Sequence, residues 1–200
     1  MKLVLASQNR HKLQEMQAIL AQYDVEIILQ SELGLCIDPE ETGTTFEENS
    51  ELKARAVMDA CGLPSIADDS GLVVDALNGE PGVYSHRFGN KNSDEERCFY
   101  LLERMAHVPD GERSARFVSV ITCLFPDGRK IVARGTCEGS ILWEMRGENG
   151  FGYDPLFFVP DMNKTFSELS GPEKNAISHR GNALAVFCEK YREMFGYDDK

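Results

Sequence analysis

The pattern of hydrophobic and polar positions predicts short strands and amphipathic helices along the chain. Leu3–Ala6 and Val25–Leu29 are apolar runs of the length that is typical of buried strands. Between them Leu13, Met16 and Leu20 recur at helical spacing, so a helix is expected to connect the two strands. The N-terminal part of the chain therefore predicts a strand, a helix and a second strand, in that order.

Two capping-box sequences predict the starts of further helices. Thr45–Glu48 carries a hydroxyl and a glutamate three residues apart, which satisfy free N–H groups and place a helix start at Phe46. Ser93–Glu96 has the same form and opens a second helix. The side chains of this second helix that we expect to face a core are Phe99, Leu102 and Met105.

The second half of the chain predicts an antiparallel hairpin and a C-terminal helix. Residues 115–125 alternate apolar and polar side chains, Pro126–Gly128 forms a turn, and residues 130–138 continue the alternation. Apolar residues at helical spacing over 183–194 then predict an amphipathic helix. No internal repeat or interdomain linker interrupts the sequence, so we expect a single domain over residues 1–200.

The stretch Ser65–Leu72 combines residues that seldom occur together in a buried segment. An apolar run ends in Asp68 and Asp69, Ser70 and Gly71 follow, and the apolar pattern then resumes. Adjacent carboxylates repel and are costly to bury, so proteins usually use them to hold a divalent cation such as Mg²⁺ or to take a proton from water. The alternative is an Asx turn, because Asp-Ser-Gly is also ordinary turn sequence.

Composition narrows the class of protein. The chain has 200 residues, of which 42% are hydrophobic and 27% charged, as expected for a soluble globular protein. Its formal net charge of −12 argues against binding nucleic acid through the phosphate backbone, which requires a basic surface. Small phosphorylated ligands remain compatible with this charge, because a few basic side chains and a metal ion can be concentrated locally.

The cysteines and the N-terminus bear on the cellular compartment. Six cysteines are scattered without a Cys-x-x-Cys pair, which favours reduced thiols over a disulfide framework or a zinc site. The opening apolar run is too short for a signal peptide, and no run reaches membrane-spanning length. The sequence therefore predicts a soluble, cytoplasmic protein.

Two further stretches are candidates for ligand binding. Ser7–Lys12 leads from a strand into a helix, where free backbone N–H groups form an anion site, although plain N-capping by Ser7 or Asn9 explains the same residues. Phe151–Phe158 combines aromatic side chains with a glycine and an acid. That suits stacking on a planar base, although core packing is the more frequent role of such clusters.

Basic residues on two predicted helices are candidates for the positive charge that a phosphorylated ligand would require. Lys174, His179 and Arg180 lie at about helical spacing, so we expect them to share a helix face. Asn49 and Lys53 lie one turn apart, where they either line a polar site or are simply exposed.

Taken in order, these stretches resemble the motifs of the inosine triphosphate pyrophosphatase family. The matching motifs are Ser7-x-Asn9-x-x-Lys12, Glu40 with Thr42-Gly43, Glu48-Asn49 with Lys53-Ala54, Asp68-Asp69-Ser70-Gly71-Leu72, Pro81-Gly82-Val83-Tyr84-Ser85, Phe151-Gly152-Tyr153-Asp154-Pro155 and Lys174-x-x-x-Ser178-His179-Arg180. They cover nearly the whole chain, and the ordered set is far more specific than any single motif. Two positions depart from the family: Ser7 stands where Thr is frequent, and His11 where Gly is common.

The resemblance implies a fold, an activity and a cofactor. Members have an α/β fold, in which a long bent mixed β-sheet carries helices on two lobes and the active site lies in the cleft between them. They hydrolyse deaminated purine nucleoside triphosphates such as ITP, dITP and XTP to the monophosphate and pyrophosphate. They are usually homodimers that require Mg²⁺, so we expect a homodimer that binds small nucleotides and neither nucleic acid nor membranes.

The resemblance also implies roles for individual residues. Glu40 and Asp69 are expected to bind the metal, and Asp69 to act as the proton acceptor. The role of Asp68 stays open between a further metal ligand and a group that orients others. The residues expected to bind the substrate are Ser7, Gln8, Asn9, Arg10, His11, Lys12, Lys53, Ser70, Phe151, Gly152, Tyr153, Asp154, Lys174, His179 and Arg180.

For the base, we expect hydrogen-bond donors that match the 6-oxo group of hypoxanthine or xanthine. His179 and Arg180 would donate to it, while Phe151 or Tyr153 stacks on the ring. Each lost matched hydrogen bond in a buried site costs about 1–3 kcal/mol. Several mismatches together would give discrimination on the order of 10²–10⁴-fold against ATP.

Three other functions are alternatives. A related pyrophosphatase acting on modified pyrimidine or other abnormal triphosphates would share these motifs. A nucleotide-binding sensor without turnover would commonly lose the acids, whereas Glu40, Asp68 and Asp69 are all present. A structural interaction module would leave the ordered polar clusters unexplained.

Overall fold

A computed structural model describes residues 1–20 and 25–196 of the chain, with helices and strands close to those predicted. The α-helices in these ranges are α1 (Arg10–Leu20), α2 (Phe46–Cys61), α3 (Asp94–Arg104), α4 (Gly171–Ile177) and α5 (His179–Phe195). The strands are β1 (Lys2–Leu5), β2 (Glu26–Leu29), β3 (Ser65–Val74), β4 (Ser114–Leu124), β5 (Lys130–Ile141), β6 (Phe157–Val159) and β7 (Lys164–Thr165). The 3₁₀ segments are Gln30–Leu33, Asp75–Leu77, Gly82–Asn90, Pro160–Met162 and Phe166–Glu168.

The strands form a mixed sheet in the order β2-β1-β3-β4-β5-β6-β7. β1 is parallel to β2 and β3, whereas β6 is antiparallel to β5 and β7. β4 and β5 are neighbours, and a tight turn joins them in which the Gly128 N–H donates to the Phe125 carbonyl at 3.0 Å. The predicted α/β class with a mixed sheet is therefore confirmed.

The chain divides into two compact units. The first comprises residues 1–69, 119–135 and 179–200, and the second comprises 70–118 and 136–178. Strands β3, β4 and β5 each contribute residues to both units. The prediction of one two-lobed domain over residues 1–200 stays a prediction.

In the first unit, β1 is buried on both faces, which explains its continuous apolar sequence. Successive side chains of a strand point to opposite faces of the sheet. Leu3 and Leu5 pack into a core with side chains of α1 and α5, whereas Val4 and Ala6 pack into a second core with side chains of α2. Parallel strands covered by helices on both sides have this composition.

Gly135 allows the first turn of α5 to approach β5 closely. A Cβ at this position would overlap the backbone of α5 at His179 O and Ala183 N. We therefore expect Gly135→Ala to lower the free energy of unfolding by about 1–3 kcal/mol, because backbone atoms on a packed helix cannot move aside freely. The matched control is Gly171→Ala, where a Cβ would meet no atom within 4 Å over residues 1–20 and 25–196. Equal stability of the two variants in urea unfolding would contradict this account.

The core of the second unit is rich in aromatic side chains. Phe117 contacts Phe157 with ring centroids 4.7 Å apart, and Phe166 contacts Phe157 at 4.9 Å. The core face predicted for α3 was partly wrong: Met105 is buried, but Phe99 is 55% exposed. The buried residues of α3 are Arg97, Cys98 and Leu101, and the predicted Leu102 packs partly buried against the same core.

The cysteines agree with the expectation of reduced thiols. All six cysteines are free, and four of them are buried: Cys98, Cys123, Cys137 and Cys188. Within the described ranges, no helix combines the length and the apolar character that crossing a membrane requires.

Candidate active site

The two adjacent aspartates lie inside β3, so the alternative of an Asx turn is wrong. β3 continues without interruption through Gly71 to Val74. Because neighbouring strand residues point to opposite faces, Asp68 and Asp69 have different surroundings. Both are nearly inaccessible to solvent, at 2% and 5% exposure.

Asp68 is enclosed by positive charge in the first unit. Arg180 donates to its Oδ2 from Nη2 at 2.9 Å and from Nε at 3.2 Å, and Lys12 Nζ lies 3.0 Å from the same oxygen. Ser119 Oγ donates to Oδ1 at 2.6 Å. Burial raises the pKa of Asp68, but Arg180, Lys12 and the Ser119 hydrogen bond outweigh burial and hold that pKa well below its usual value. Asp68 is therefore a carboxylate whose oxygens are already engaged by protein groups.

Arg180 is held at its other end by Glu15. Its Nη1 donates to Glu15 Oε2 of α1, and the arginine side chain is only 1% exposed. Burial lowers the pKa of Arg180, but Asp68 and Glu15 outweigh this effect and raise it. The guanidinium thus ties α1, β3 and α5 together within the first unit.

Asp69 has one engaged and one unengaged oxygen. Lys53 Nζ donates to its Oδ1 at 2.5 Å and to Glu41 Oε1 at 3.0 Å. The other oxygen, Oδ2, is buried and finds no hydrogen-bond partner among the described residues. Burial raises the pKa of Asp69 by more than the neighbouring Lys53 lowers it, so the net shift is upward. A buried oxygen without a partner is costly, which indicates a place for a cation or a donor from a ligand.

Lys53 is positioned by the start of α2. Thr45 caps this helix, accepting a hydrogen bond from the Glu48 N–H at 3.2 Å, as the capping box predicts. Asn49 is fully buried and its Oδ1 accepts from the Gly43 N–H at 2.8 Å, which fastens the acidic loop before the helix. Burial lowers the pKa of Lys53, but Asp69 and Glu41 raise it further, so the lysine is a cation in this cluster.

The loop between β1 and α1 presents the first helical turn of α1. Asn9 Oδ1 accepts from the N–H groups of His11 at 2.9 Å and Lys12 at 3.3 Å, and Ser7 Oγ accepts from the Asn9 N–H at 3.1 Å. Asn9 therefore caps the helix, as the capping alternative predicts. Arg10 and His11 are exposed, and exposed Gln8 donates from Nε2 to Cys36 Sγ at 3.3 Å.

Glu40 and the carboxylate beside it differ in their contacts. Glu40 is exposed, and its carbonyl accepts from the Thr42 N–H at 3.0 Å. Glu41 instead shares Lys53 with Asp69, which sequence reasoning missed. Over residues 1–20 and 25–196, no three His, Cys, Asp or Glu side chains come together as a metal-binding group. The assignment of Glu40 to a metal stays a prediction.

The Phe151 loop, defined as Phe151–Asp154, is a separate cluster in the second unit. Asp154 is buried, and its Oδ2 accepts from Lys174 Nζ at 2.7 Å and from the Phe151 N–H at 2.9 Å. Lys174 Nζ also lies 4.7 Å from the centre of the Phe151 ring. Tyr153 is buried and donates from its hydroxyl to the Ser85 carbonyl at 2.8 Å, so it belongs to the core. Of the two aromatic rings expected to stack on a base, Phe151 is the more accessible.

The expectation that Lys174, His179 and Arg180 share a helix face is wrong. α4 ends at Ile177, Ser178 adopts an extended conformation with φ −71° and ψ 158°, and α5 then begins at His179. Lys174 accordingly contacts Asp154 in the second unit, whereas Arg180 contacts Asp68 in the first. Ser70 lies on β3 and is partly buried.

Comparison with known proteins agrees with the motifs along the chain. The family model described as the Ham1 family matches residues 3–190. A dITP/XTP pyrophosphatase of Thermus thermophilus is 50% identical to this chain, and the match covers 96% of this chain and 93% of the relative. The dITP/XTP pyrophosphatase of Haemophilus influenzae is also 50% identical, and the match covers 94% of this chain and 98% of the relative. The structure of a HAM1 protein from Coxiella burnetii has a TM-score of 0.88 and 45% identity, covering 96% of this chain and 99% of that one. The structure of the Staphylococcus aureus Ham1 protein has a TM-score of 0.87 and 44% sequence identity, and the match covers 97% of this chain and 100% of that one.

The family model spans nearly the whole chain, and these relatives are far more similar than a shared fold alone would require. The resemblance to the pyrophosphatase family that the motifs indicate is therefore confirmed. The chain belongs to the Ham1 family.

Proposed function

We propose that this protein hydrolyses the deaminated purine nucleoside triphosphates ITP, dITP and XTP to the monophosphate and pyrophosphate, which removes them from the nucleotide pool. Relatives at about half identity over nearly full length are dITP/XTP pyrophosphatases. The observation that carries the proposal is the cluster of Lys12, Lys53, Asp68 and Asp69, in which one buried carboxylate oxygen of Asp69 has no partner in the described chain.

The triphosphate is proposed to bind at the start of α1 and at the two lysines. The N-terminus of α1 offers backbone N–H groups and the positive end of the helix dipole, which attract anions. Burial lowers the pKa of Lys12, and Lys53 and Arg180 add to this effect against the opposing charge of Asp68. A bound phosphate would raise the pKa of Lys12 again, because a nearby negative charge favours the ammonium form. Ser7, Gln8, Asn9, Arg10 and His11 are the remaining residues proposed for this role.

The donors around Asp69 fit Mg²⁺. Its Oδ2 is a carboxylate oxygen without a described partner, and Mg²⁺ is held in enzymes by one or two carboxylates together with substrate phosphates. Asp69 would hold the ion, with Glu40 as the second proposed ligand. When bound, the ion would neutralise phosphate charge and favour the developing negative charge of the leaving pyrophosphate.

Asp69 is proposed to act as the proton acceptor. Burial raises the pKa of Asp69 in the protein without an ion, which favours proton acceptance, and a bound cation acts in the opposite direction. Asp69 would accept a proton from the water that attacks the α-phosphorus, and Lys53 would hold its carboxylate in place from Oδ1. Asp68 is proposed as an orienting group, because Arg180, Lys12 and Ser119 already occupy its oxygens.

The base is proposed to contact the Phe151 loop. Phe151 supplies an accessible ring, and Ser70, Gly152, Tyr153, Asp154 and Lys174 are the other proposed contacts in the second unit. His179 and Arg180 were expected to donate to the 6-oxo group. The contacts of Arg180 with Asp68 and Glu15 instead favour a role in orienting those groups.

Mg²⁺ as the cofactor, a homodimer and a cytoplasmic location complete the proposal. The free cysteines support a reducing compartment. The net charge of −12 supports small nucleotides rather than nucleic acid as partners. The homodimer rests on the family resemblance alone.

Pyrophosphate release from a panel of ITP, dITP, XTP, GTP, ATP and dUTP tests the function. We expect release from the first three, no release after chelation, and full recovery when Mg²⁺ is added back. In ¹⁸O-labelled water the label should enter IMP, because attack at the α-phosphorus leaves pyrophosphate unlabelled. Orthophosphate as the first product, or label in pyrophosphate, would contradict the proposal.

A further inference from the structure

The Phe151 loop is hydrogen-bonded to a carboxylate that lies outside the family motifs. Asp94, the first residue of α3, accepts a hydrogen bond at its Oδ2 from the Gly152 N–H at 2.8 Å. Cys98, one turn further along α3, donates from its thiol to the Gly152 carbonyl, with 3.4 Å between sulfur and oxygen. Both polar groups of the Gly152 backbone are therefore held by the same face of one helix.

Asp94 is itself fixed in orientation. Arg97, which is buried, contacts the Oδ1 oxygen of Asp94 through Nη2 and donates from Nη1 to the Lys91 carbonyl at 3.0 Å. Burial raises the pKa of Asp94, but the Gly152 N–H and Arg97 outweigh burial and lower that pKa. The carboxylate is thus ionised at neutral pH, and one oxygen is left for the loop.

The backbone conformation of Gly152 is one that glycine adopts more readily than other residues. Gly152 has a φ of 62°, the left-handed region, and no atom of the described residues lies within 4 Å of the position of a Cβ. This conformation suits glycine, and its N–H and carbonyl are hydrogen-bonded to Asp94 and Cys98. The residues on either side make other contacts: Asp154 accepts from the Phe151 N–H, and Tyr153 donates to the Ser85 carbonyl. The Gly152 peptide is thus the part of the loop that α3 holds.

We propose that Asp94 is a positioning residue that sets the affinity for the purine, because it fixes Gly152 and with it the direction of the Phe151 ring. This inference rests on the proposed contact between that ring and the base. It assigns Asp94 no contact with the substrate, and it concerns the base rather than the phosphates, whose proposed ligands lie in the first unit.

The test is direct binding of two probes, IMP and inorganic tripolyphosphate, measured by titration calorimetry. IMP carries the purine and is a product, so no turnover disturbs the measurement, and tripolyphosphate carries only the phosphates. Removing one charge-assisted hydrogen bond with Asp94→Ala should weaken IMP binding roughly tenfold, and tripolyphosphate binding less than about twofold. A loss of structure alone would weaken both probes.

The control is Glu95→Ala, which removes an exposed acid from the same first turn of α3 and should change neither affinity by more than about twofold. Asp94→Glu keeps the charge at the helix start but displaces the carboxylate, so it guards against a failure of Asp94→Ala to fold. It should weaken IMP binding at least about threefold.

The outcomes separate this inference from the proposed function. Unchanged IMP affinity in folded Asp94→Ala or Asp94→Glu, or an equal loss for both probes, overturns the positioning role. A wild-type protein that binds no IMP also overturns it. A wild-type protein that binds IMP but releases no pyrophosphate from ITP refutes the enzyme activity, whereas an Asp94-dependent IMP affinity then still supports the inference.

Discussion

Replacing Asp69 with Asn should lower kcat for ITP by about 10²-fold or more while the protein remains folded. Asn keeps the size of the side chain and an oxygen that can accept from Lys53, so the geometry of this contact is changed little. It removes the charge of the oxygen that has no described partner, and with it the proposed base and metal ligand. The measurement is steady-state hydrolysis of saturating ITP at saturating Mg²⁺, with circular dichroism and thermal unfolding as checks of the fold.

Asp59→Asn is the matched control for this variant, since Asp59 is an exposed aspartate of the same unit on α2. It should retain the wild-type rate, because its carboxylate lies at the surface. Wild-type kcat in a folded Asp69→Asn protein would remove Asp69 from the mechanism. Similar losses in both variants would indicate a general effect of net charge.

Replacing Arg180 with Ala should lower the free energy of unfolding by about 3–5 kcal/mol, because it leaves Asp68 and Glu15 without their shared cation. Lys12 remains beside Asp68, which favours the lower end of this range. Arg55→Ala is the control, since Arg55 pairs with Glu51 on the exposed side of α2 at 2.9 Å. Such surface pairs contribute about 0–1 kcal/mol. The free energy of unfolding of both variants is measured in urea. Equal values for Arg180→Ala and Arg55→Ala would show that the buried ion pairs of Arg180 contribute little.

The role of Arg180 in catalysis is better measured with Arg180→Lys, which keeps the positive charge but not the forked hydrogen bonds. The contacts of Arg180 with Asp68 and Glu15 favour an equal fractional loss of kcat/KM for ITP and for ATP. A loss confined to ITP would instead support the expectation that Arg180 donates to the 6-oxo group. The measurement is the ratio of variant to wild-type kcat/KM in Arg180→Lys, once for ITP and once for ATP. Equal ratios support the orienting role, whereas a lower ratio for ITP alone supports contact with the base.

What could be predicted from sequence was local. The start of α2 at Phe46 follows from Thr45 and Glu48, three residues apart, and the structure has the same start. The acids Asp68 and Asp69 were identified as a candidate site because neighbouring carboxylates are costly to bury. Their separate surroundings follow from strand alternation, which applies only once β3 is known to continue through Gly71.

What could not be predicted depends on contacts between distant parts of the chain. Glu15 and Arg180 are 165 residues apart, and Asp94 and Gly152 are 58 apart. No spacing rule reaches across such separations. The break at Ser178 was missed because a serine suits the position before a new helix as well as a polar position within a continuous one, and local sequence does not decide between them.

The first unit is built from segments at both ends of the chain, which determines when it can be completed during synthesis. Its main core joins Leu3 and Leu5 of β1 to Leu184 and Phe187 of α5, so segments far apart in the sequence share one hydrophobic interior. A nascent chain that ends before residue 179 lacks one wall of that interior and exposes apolar surface of β1. We therefore expect the first unit to remain open until the ribosome has made α5. A premature stop ahead of this helix should yield an aggregation-prone protein rather than a shortened enzyme.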